Sequence, residues 1–296
     1  MIIEDIIEKI NLNNLSAEER QELTKQSYAE PSYFQELFKR DNIDLESEKL
    51  SLAFRREISR LLVERNISPP NVEIEDLHEH VSDELKTYGF DDGVNKISTY
   101  FYDTDEQFLQ VYYQFIKFLR LNYFKEPFWF QATPTIRIHC PNGKNNHHYP
   151  RYHNDIGYGH PPEEINLWLP LTEVRNGHGF RVASVAASAK ILKSFNYDYP
   201  QFIHAAIQDK EFTQYCESVS QPVATPFGKV FAFDSRSIHT GEPLKEHTRA
   251  SMDIRITPIS RYEQMSIEYQ GSGRRKILFA PGHCYHKNDS DHFLKI

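Results

Sequence analysis

His153 and Asp155 stand two positions apart in the run Tyr152-His153-Asn154-Asp155. In extended backbone, side chains two apart leave the same face, so an imidazole and a carboxylate can meet one metal ion. A second imidazole, His239, lies far along the chain within residues 228–251, GKVFAFDSRSIHTGEPLKEHTRAS, and must return to that ion through the fold. Two imidazoles and one carboxylate around an ion with open positions form the facial ligand set of non-haem iron oxygen chemistry. Arg249 follows His239, and Ser251 stands two further on. A guanidinium fork with a hydroxyl beside it is an anchor for the carboxylate of a small co-substrate.

A lone His-x-Asp pair is weak evidence in a chain with 14 histidines. Other histidines compete. His147 and His148 precede His153 and His160 follows it, but none has a carboxylate two positions away. They read as loop residues or substrate contacts. His78-Glu79-His80 falls in a helical context, where residues two apart do not share a face. It reads as a solvated surface.

The elements needed to position the candidates are visible as pattern. Residues 228–233 read as a turn and then a strand of Val, Phe and Ala, and the polar corner 234–237 delivers His239. In residues 249–256, Arg249, Ser251, Asp253 and Arg255 alternate with Ala250, Met252, Ile254 and Ile256, which puts the polar set on one face of a strand. Arg255 shares that face with Arg249 and competes with it as the anchor; otherwise it pairs with Asp253 or with an acid on a neighbouring strand. Residues 128–139 alternate too, with Gln131, Thr135, Arg137 and His139 on the polar side. An arginine on a buried barrel face needs a partner. For Arg137 that partner is the co-substrate, the substrate or a nearby acid. In the strand over 164–169, Asn166 and Trp168 oppose Ile165, Leu167 and Leu169. The pair either lines the pocket beside the co-substrate or is a packed tryptophan with a hydrogen-bonded asparagine.

The fold class expected is α+β: a double-stranded β-helix, or jelly-roll, core with a helical N-terminal half packed on it. Residues 1–122 read mainly as helix and 123–296 as the core with a C-terminal extension. Ile3, Ile6, Ile7 and Ile10 recur at helical spacing, and Ser16 before Ala17-Glu18-Glu19 is an N-cap signature. A helix is expected over 46–65, stopped near Ser68-Pro69-Pro70, and another from Thr104, with Phe108, Val111, Tyr112, Phe115, Phe118 and Leu119 as its apolar stripe. Residues 186–218 read as helix or loop. The tail holds Gly271-Ser272-Gly273 and Pro281-Gly282.

At these residues the chain resembles the phytanoyl-CoA-hydroxylase-like Fe(II)/2-oxoglutarate-dependent dioxygenases. Residues 228–241 look like that family's glycine-strand-FDSR-xx-His-x-Gly signature. Residues 134–174 are similar to the streptomycin-biosynthesis-type branch, with Tyr152 before the His-x-Asp, then Gly159-His160-Pro161 and Glu164-Ile165-Asn166-Leu167-Trp168. The likeness covers the chain from about residue 128 onward. Relatives carry Pro-Gly-Ser-His after the central strand; residues 176–184 lack it. The resemblance implies Fe(II) on His153, Asp155 and His239, and 2-oxoglutarate with its far carboxylate on Arg249 and Ser251. It implies hydroxylation or another oxidation such as ring closure or desaturation, with a hydroxylase the leading reading, since related halogenases replace the carboxylate ligand with a small residue and Asp155 is present. It suggests a polar, sugar-like or amino-sugar-like substrate, or for a second branch an amino acid; no substrate-binding residue is named. Dioxygen is the other reactant. A different class stays open: a cupin-like metal-binding or interaction protein without oxidation activity.

Composition bounds these readings. A chain of 296 residues with 39% hydrophobic and 13% aromatic content supports a sizeable core. Its net charge of −8 argues against a broad nucleic-acid-binding surface. Cys140, Cys216 and Cys284 are odd in number and far apart, so no disulfide framework or zinc ribbon is indicated and a cytoplasmic setting is expected. The N-terminus has acids where a targeting segment has bases, and no apolar run approaches the ~20 residues that cross a bilayer. The helical first half is expected to shape the substrate entrance or to form a homo-oligomer surface.

Overall fold

The computed structural model describes residues 16–88, 94–141, 143–144, 151–158, 160–174, 179–242, 244, 246–264 and 285–288. The expectations for Ile3 to Ile10, His147, His148, Gly159, the segment before Gly179, Gly271 to Gly282 and Cys284 lie outside them.

Ser16 caps α1 (Ala17–Ser27) with a reciprocal capping box to Glu19, as its sequence predicts. After α2 (Tyr33–Phe38) comes β1 (Asn42–Glu46), a strand inside the half expected to be mainly helical. Five residues with only Leu45 buried give too short an alternation to announce themselves. α3 (Glu48–Glu64) and α4 (Glu106–Asn122) are the long helices, with single-turn helices between them. Asp105, rather than Thr104, caps α4, accepting the Phe108 N–H at 2.9 Å.

The strands are β2 (Phe128–Gln131), β3 (Thr135–His139), β4 (Ile165–Pro170), β5 (Phe180–Ala183), β6 (Ser220–Pro222), β7 (Lys229–Asp234), β8 (His239–Gly241), β9 (Arg249–Pro258) and β10 (Tyr285–Lys287). The alternation over 128–139 is therefore two strands. Both pair with β9, β2 along its C-terminal half and β3 along its N-terminal half. Residues 185–219 resolve into α5 (Val185–Ser194), α6 (Tyr199–Gln208) and α7 (Lys210–Val219). Ser184, Asp198 and Asp209 cap them in turn.

Two antiparallel sheets result. The seven-stranded sheet runs β1-β7-β4-β9-β2-β10, with β3 also on β9; the three-stranded sheet runs β6-β5-β8. Period-two alternation gives the large sheet two unlike faces. Ile136, Ile138, Leu167, Ala232, Met252, Ile254 and Ile256 join Phe54, Ile58, Phe108, Phe115 and Leu119 of α3 and α4 in one apolar cluster. Each fully buried large apolar side chain there contributes about 1.5–3 kcal/mol. The opposite face turns Trp168, Phe231 and Phe233 toward Phe180 and Val182 of the small sheet. Two facing sheets with helices on the outside make a jelly-roll core of the double-stranded β-helix type, in an α+β fold.

Candidate metal centre

Between the two sheets lies a cavity of about 130 Å³. Arg137, His139, Asn166, Trp168, Arg249, Ser251, Asp253 and Arg255 line it from the large sheet, and Phe180 from the small one. His153, Asp155 and His239 line the same cavity. Their candidate ligand atoms all lie within 4.8 Å of one another. The separation in sequence between Asp155 and His239 is closed by backbone. His153 and His239 form an isolated antiparallel bridge, exchanging N–H···O bonds of 3.0 and 2.8 Å.

Each imidazole is oriented by a carbonyl two residues before it. His153 Nδ1 lies 2.6 Å from the Arg151 carbonyl oxygen, and His239 Nδ1 lies 3.0 Å from that of Ser237. A carbonyl only accepts, so Nδ1 carries the proton and donates, and Nε2 keeps the lone pair a metal needs. Asp155 is 2% exposed. Burial alone would raise its pKa, but the charge of Arg255, with His239 and His160, holds it well below the usual carboxylate range. The donor set is thus two imidazoles, each held by Nδ1 so that Nε2 is the nitrogen left for an ion, and a carboxylate, which fits Fe(II). Among the described residues this is the one His/Cys/Asp/Glu group placed to share an ion. His78, Glu79 and His80 are not part of it; His78 Nδ1 lies 3.2 Å from Thr248 Oγ1.

The residue between the ligands anchors the loop. Asn154 is fully buried. Its Nδ2 donates to the Tyr28 hydroxyl at 2.9 Å, its carbonyl accepts from Tyr199 at 2.9 Å, and its Oδ1 accepts the Gly157 N–H at 3.2 Å. A Cβ at Gly157 would fall 1.8 Å from the Tyr199 ring, so glycine alone lets that ring close on the loop. Tyr28 in turn donates to the Arg236 carbonyl at 2.6 Å. Arg236 is 1% exposed and pairs with Asp234, while its guanidinium donates to Ser27 O, Glu30 O and Gln35 Oε1. The FDSR corner is therefore a buried knot that ties α1 and α2 to the turn carrying His239. Sequence reasoning found the corner and missed its partners, which come from the opposite end of the chain.

The polar candidates sort by neighbour. Arg249 is buried; it donates to the Gly179 carbonyl and reaches His139 Nδ1 at 3.2 Å. Burial, then the charges of Arg249 and Arg137, hold His139 well below the usual histidine range, so it is a neutral acceptor. Ser251 Oγ and both polar atoms of the Asn166 side chain are buried with no hydrogen-bond partner among the described residues. Of the two readings of Asn166, the hydrogen-bonded one is thus not observed. Arg137 donates to Asp253, so a neighbouring acid is one of its partners. Arg255 donates to Asp155 Oδ2 at 3.0 Å and lies 3.7 Å from Glu164 Oε2. Glu164, Tyr285 and His139 were not foreseen as site residues. His139 had a local signal in its place on the polar side of the 128–139 alternation, and Glu164 in the family-like segment it opens; Tyr285 had none.

No protein-family profile matches the chain. It is 27% identical over 146 residues to the streptomycin biosynthesis protein StrG of Streptomyces griseus, covering 48% of this chain and 54% of that one. The chain thus spans about half the length of the curated relative it matches. Among solved structures it is similar to the non-haem α-ketoglutarate-dependent carbocyclase SnoK from nogalamycin biosynthesis, at 12% identity and TM-score 0.44, covering 78% of this chain and 85% of that one. It is also similar to HygX from Streptomyces hygroscopicus, with nickel and 2-oxoglutarate bound, at 11% identity and TM-score 0.45, covering 77% and 88% of the two chains. In its motifs and its His-Asp-His constellation, the chain resembles the streptomycin-biosynthesis-type branch of the Fe(II)/2-oxoglutarate-dependent oxygenases.

Proposed function

We propose that this protein is an Fe(II)/2-oxoglutarate-dependent oxygenase that hydroxylates a polar, sugar-like or amino-sugar-like small molecule. The observation that carries the reading is the meeting of His153, Asp155 and His239 in a cavity that also holds Arg249, Ser251 and Asn166. Iron and 2-oxoglutarate, when bound, would supply dioxygen activation coupled to decarboxylation, with release of succinate and CO2. The chain's own part is positioning. Nε2 of His153 and of His239 and the Asp155 carboxylate hold the ion. Arg249 offers its fork and Ser251 its hydroxyl to the far carboxylate. Asn166 and Trp168 flank the co-substrate, and Asn166 brings a donor and an acceptor that are otherwise unmet. Arg137, tied to Asp253, contributes a polar wall. Phe180 and Phe233 keep the His239 side of the cavity apolar, with the Phe233 ring 5.2 Å from the His239 ring.

The substrate class is supported by the similarity to a streptomycin biosynthesis protein. The net charge of −8 favours a small molecule over nucleic acid as partner. A cytoplasmic setting is supported by the free, buried Cys140 and Cys216 thiols. No helix among the described residues is long and apolar enough to cross a membrane. Succinate formation from 2-oxoglutarate tests the activity. The purified protein with Fe(II) and O2 should form succinate slowly, and faster when the right member of a panel of sugars and amino sugars is added. A protein that holds metal but never consumes 2-oxoglutarate would instead be the metal-binding, non-oxidising alternative.

A further inference from the structure

Asp155 sits on a loop between a single β-bridge at His153 and a turn of 3-10 helix at Ile156–Tyr158. Rotation about the terminal torsion of an aspartate is soft, so loop geometry alone does not decide whether one oxygen or both would face an ion. The structure supplies what the loop lacks. Arg255 Nε donates to Oδ2 at 3.0 Å, which fixes the carboxylate's rotation and takes up one lone pair of that oxygen, so that Oδ1 is the freer of the two. Arg255 belongs to β9, a strand paired on both sides; its own N–H donates to Gln131 Oε1 at 3.0 Å and it lies opposite Asn166 of β4. Its side chain is held from behind by Glu164, whose side chain is fully buried. Glu164 Oε1 accepts from the Tyr285 hydroxyl at 2.8 Å, and Oε2 lies 2.9 Å from His160 Nδ1. The His160 backbone N–H donates to the Asp155 carbonyl at 3.2 Å, closing the ring of contacts.

We propose that Arg255 is a positioning residue that restricts Asp155 to ligation through a single oxygen, and that Glu164, Tyr285 and His160 hold Arg255 in place for that task. The proposal rests on the metal reading above. It gives the second arginine of β9 a role distinct from Arg249: it sets how many coordination positions stay open for the co-substrate, without touching the co-substrate itself. It also gives β10 a role, since that short C-terminal strand delivers Tyr285 to the back of the site.

Cobalt(II) is the probe, because its visible bands report coordination number without turnover. Parent, Arg255→Gln, Arg255→Lys and Tyr285→Phe proteins are loaded with cobalt(II) under nitrogen, and spectra are taken before and during titration with 2-oxoglutarate. In Arg255→Gln the second carboxylate oxygen is released. The metal-only spectrum should change, and 2-oxoglutarate should bind about tenfold more weakly, the lower end of what loss of an outer partner costs at metal sites. Arg255→Lys should fall between, keeping the cation but not the fixed planar donor. Tyr285→Phe keeps every charge and should shift both readouts the same way by less; it decides the matter if the arginine variants do not fold. Parent-like spectra and parent-like 2-oxoglutarate affinity in Arg255→Gln, or in Tyr285→Phe alone if the arginine variants do not fold, would reduce the network to a structural ion pair and overturn the proposal. A parent protein that binds neither cobalt nor 2-oxoglutarate would be a failure of the underlying metal reading instead, and would be visible before any variant is compared.

Discussion

The two faces of the seven-stranded sheet are built from the same strands and obey opposite rules. Along β9, Ala250, Met252, Ile254 and Ile256 are all buried against the helices, in an apolar cluster that demands nothing of its neighbours except shape. One residue over in each case, Arg249, Ser251, Asp253 and Arg255 line a cavity. Some polar groups there are matched within the protein, as Arg137 is by Asp253 and Arg255 by Asp155. Others, Ser251 Oγ and the Asn166 amide, are buried without a partner among the described residues. A buried polar group left unmet costs about 1–3 kcal/mol. The polar face thus gives up stability that the apolar face keeps, in the manner of a site built for a ligand.

Variants on the two faces should separate stability from binding. The largest effect is expected at the ligands: His153→Ala or His239→Ala leaves two protein donors, and metal content measured after gel filtration should fall to background, with succinate formation lost. Parent-level activity in both would dissolve the site. On the dry face, Phe115→Ala should lower unfolding free energy by about 3–5 kcal/mol while the folded fraction still binds metal. A loss of metal affinity without a loss of stability would break the division between faces. On the wet face, Arg249→Leu should weaken 2-oxoglutarate binding by about 2–5 kcal/mol, the cost of truncating one member of a buried charged pair, with metal affinity nearly unchanged. If Arg255→Leu does this and Arg249→Leu does not, the two arginines must exchange roles. The smallest effect sharpens the comparison most. Asn166→Leu keeps the volume and deletes two unmet polar atoms, so the ligand-free protein should melt higher, by a stability gain of about 1 kcal/mol, while 2-oxoglutarate binds less well. A lower melting temperature would mean that the asparagine is already satisfied.

The sheet faces were legible in sequence because alternation is a local signal: β4 and β9 could be assigned to a buried and a polar side residue by residue. The three ligand candidates were legible because their types and order are rare in combination. What stayed hidden is what depends on long-range closure. Arg249 and Arg255 share a face, so parity could not separate them; the structure does, by placing Asp155 and Glu164 at one end of β9 and His139 with the Gly179 carbonyl at the other. The burial of Asn154 depends on Tyr28 and Tyr199, and the burial of Glu164 on Tyr285, none of them near in sequence. β1 was hidden for a related reason: Asn42–Glu46 becomes a strand because β7 offers it an edge, each residue of one facing one of the other from Asn42 opposite Phe233 to Glu46 opposite Lys229.

The central claim is that one cavity binds a metal through His153, Asp155 and His239 and 2-oxoglutarate beside it. Anaerobic titration of the protein with Fe(II) and then 2-oxoglutarate tests this most directly. The account predicts a visible charge-transfer band that saturates at one iron and one 2-oxoglutarate per chain and is absent in His239→Ala. Iron that binds with no band on adding 2-oxoglutarate, or a band that persists in His239→Ala, would contradict it.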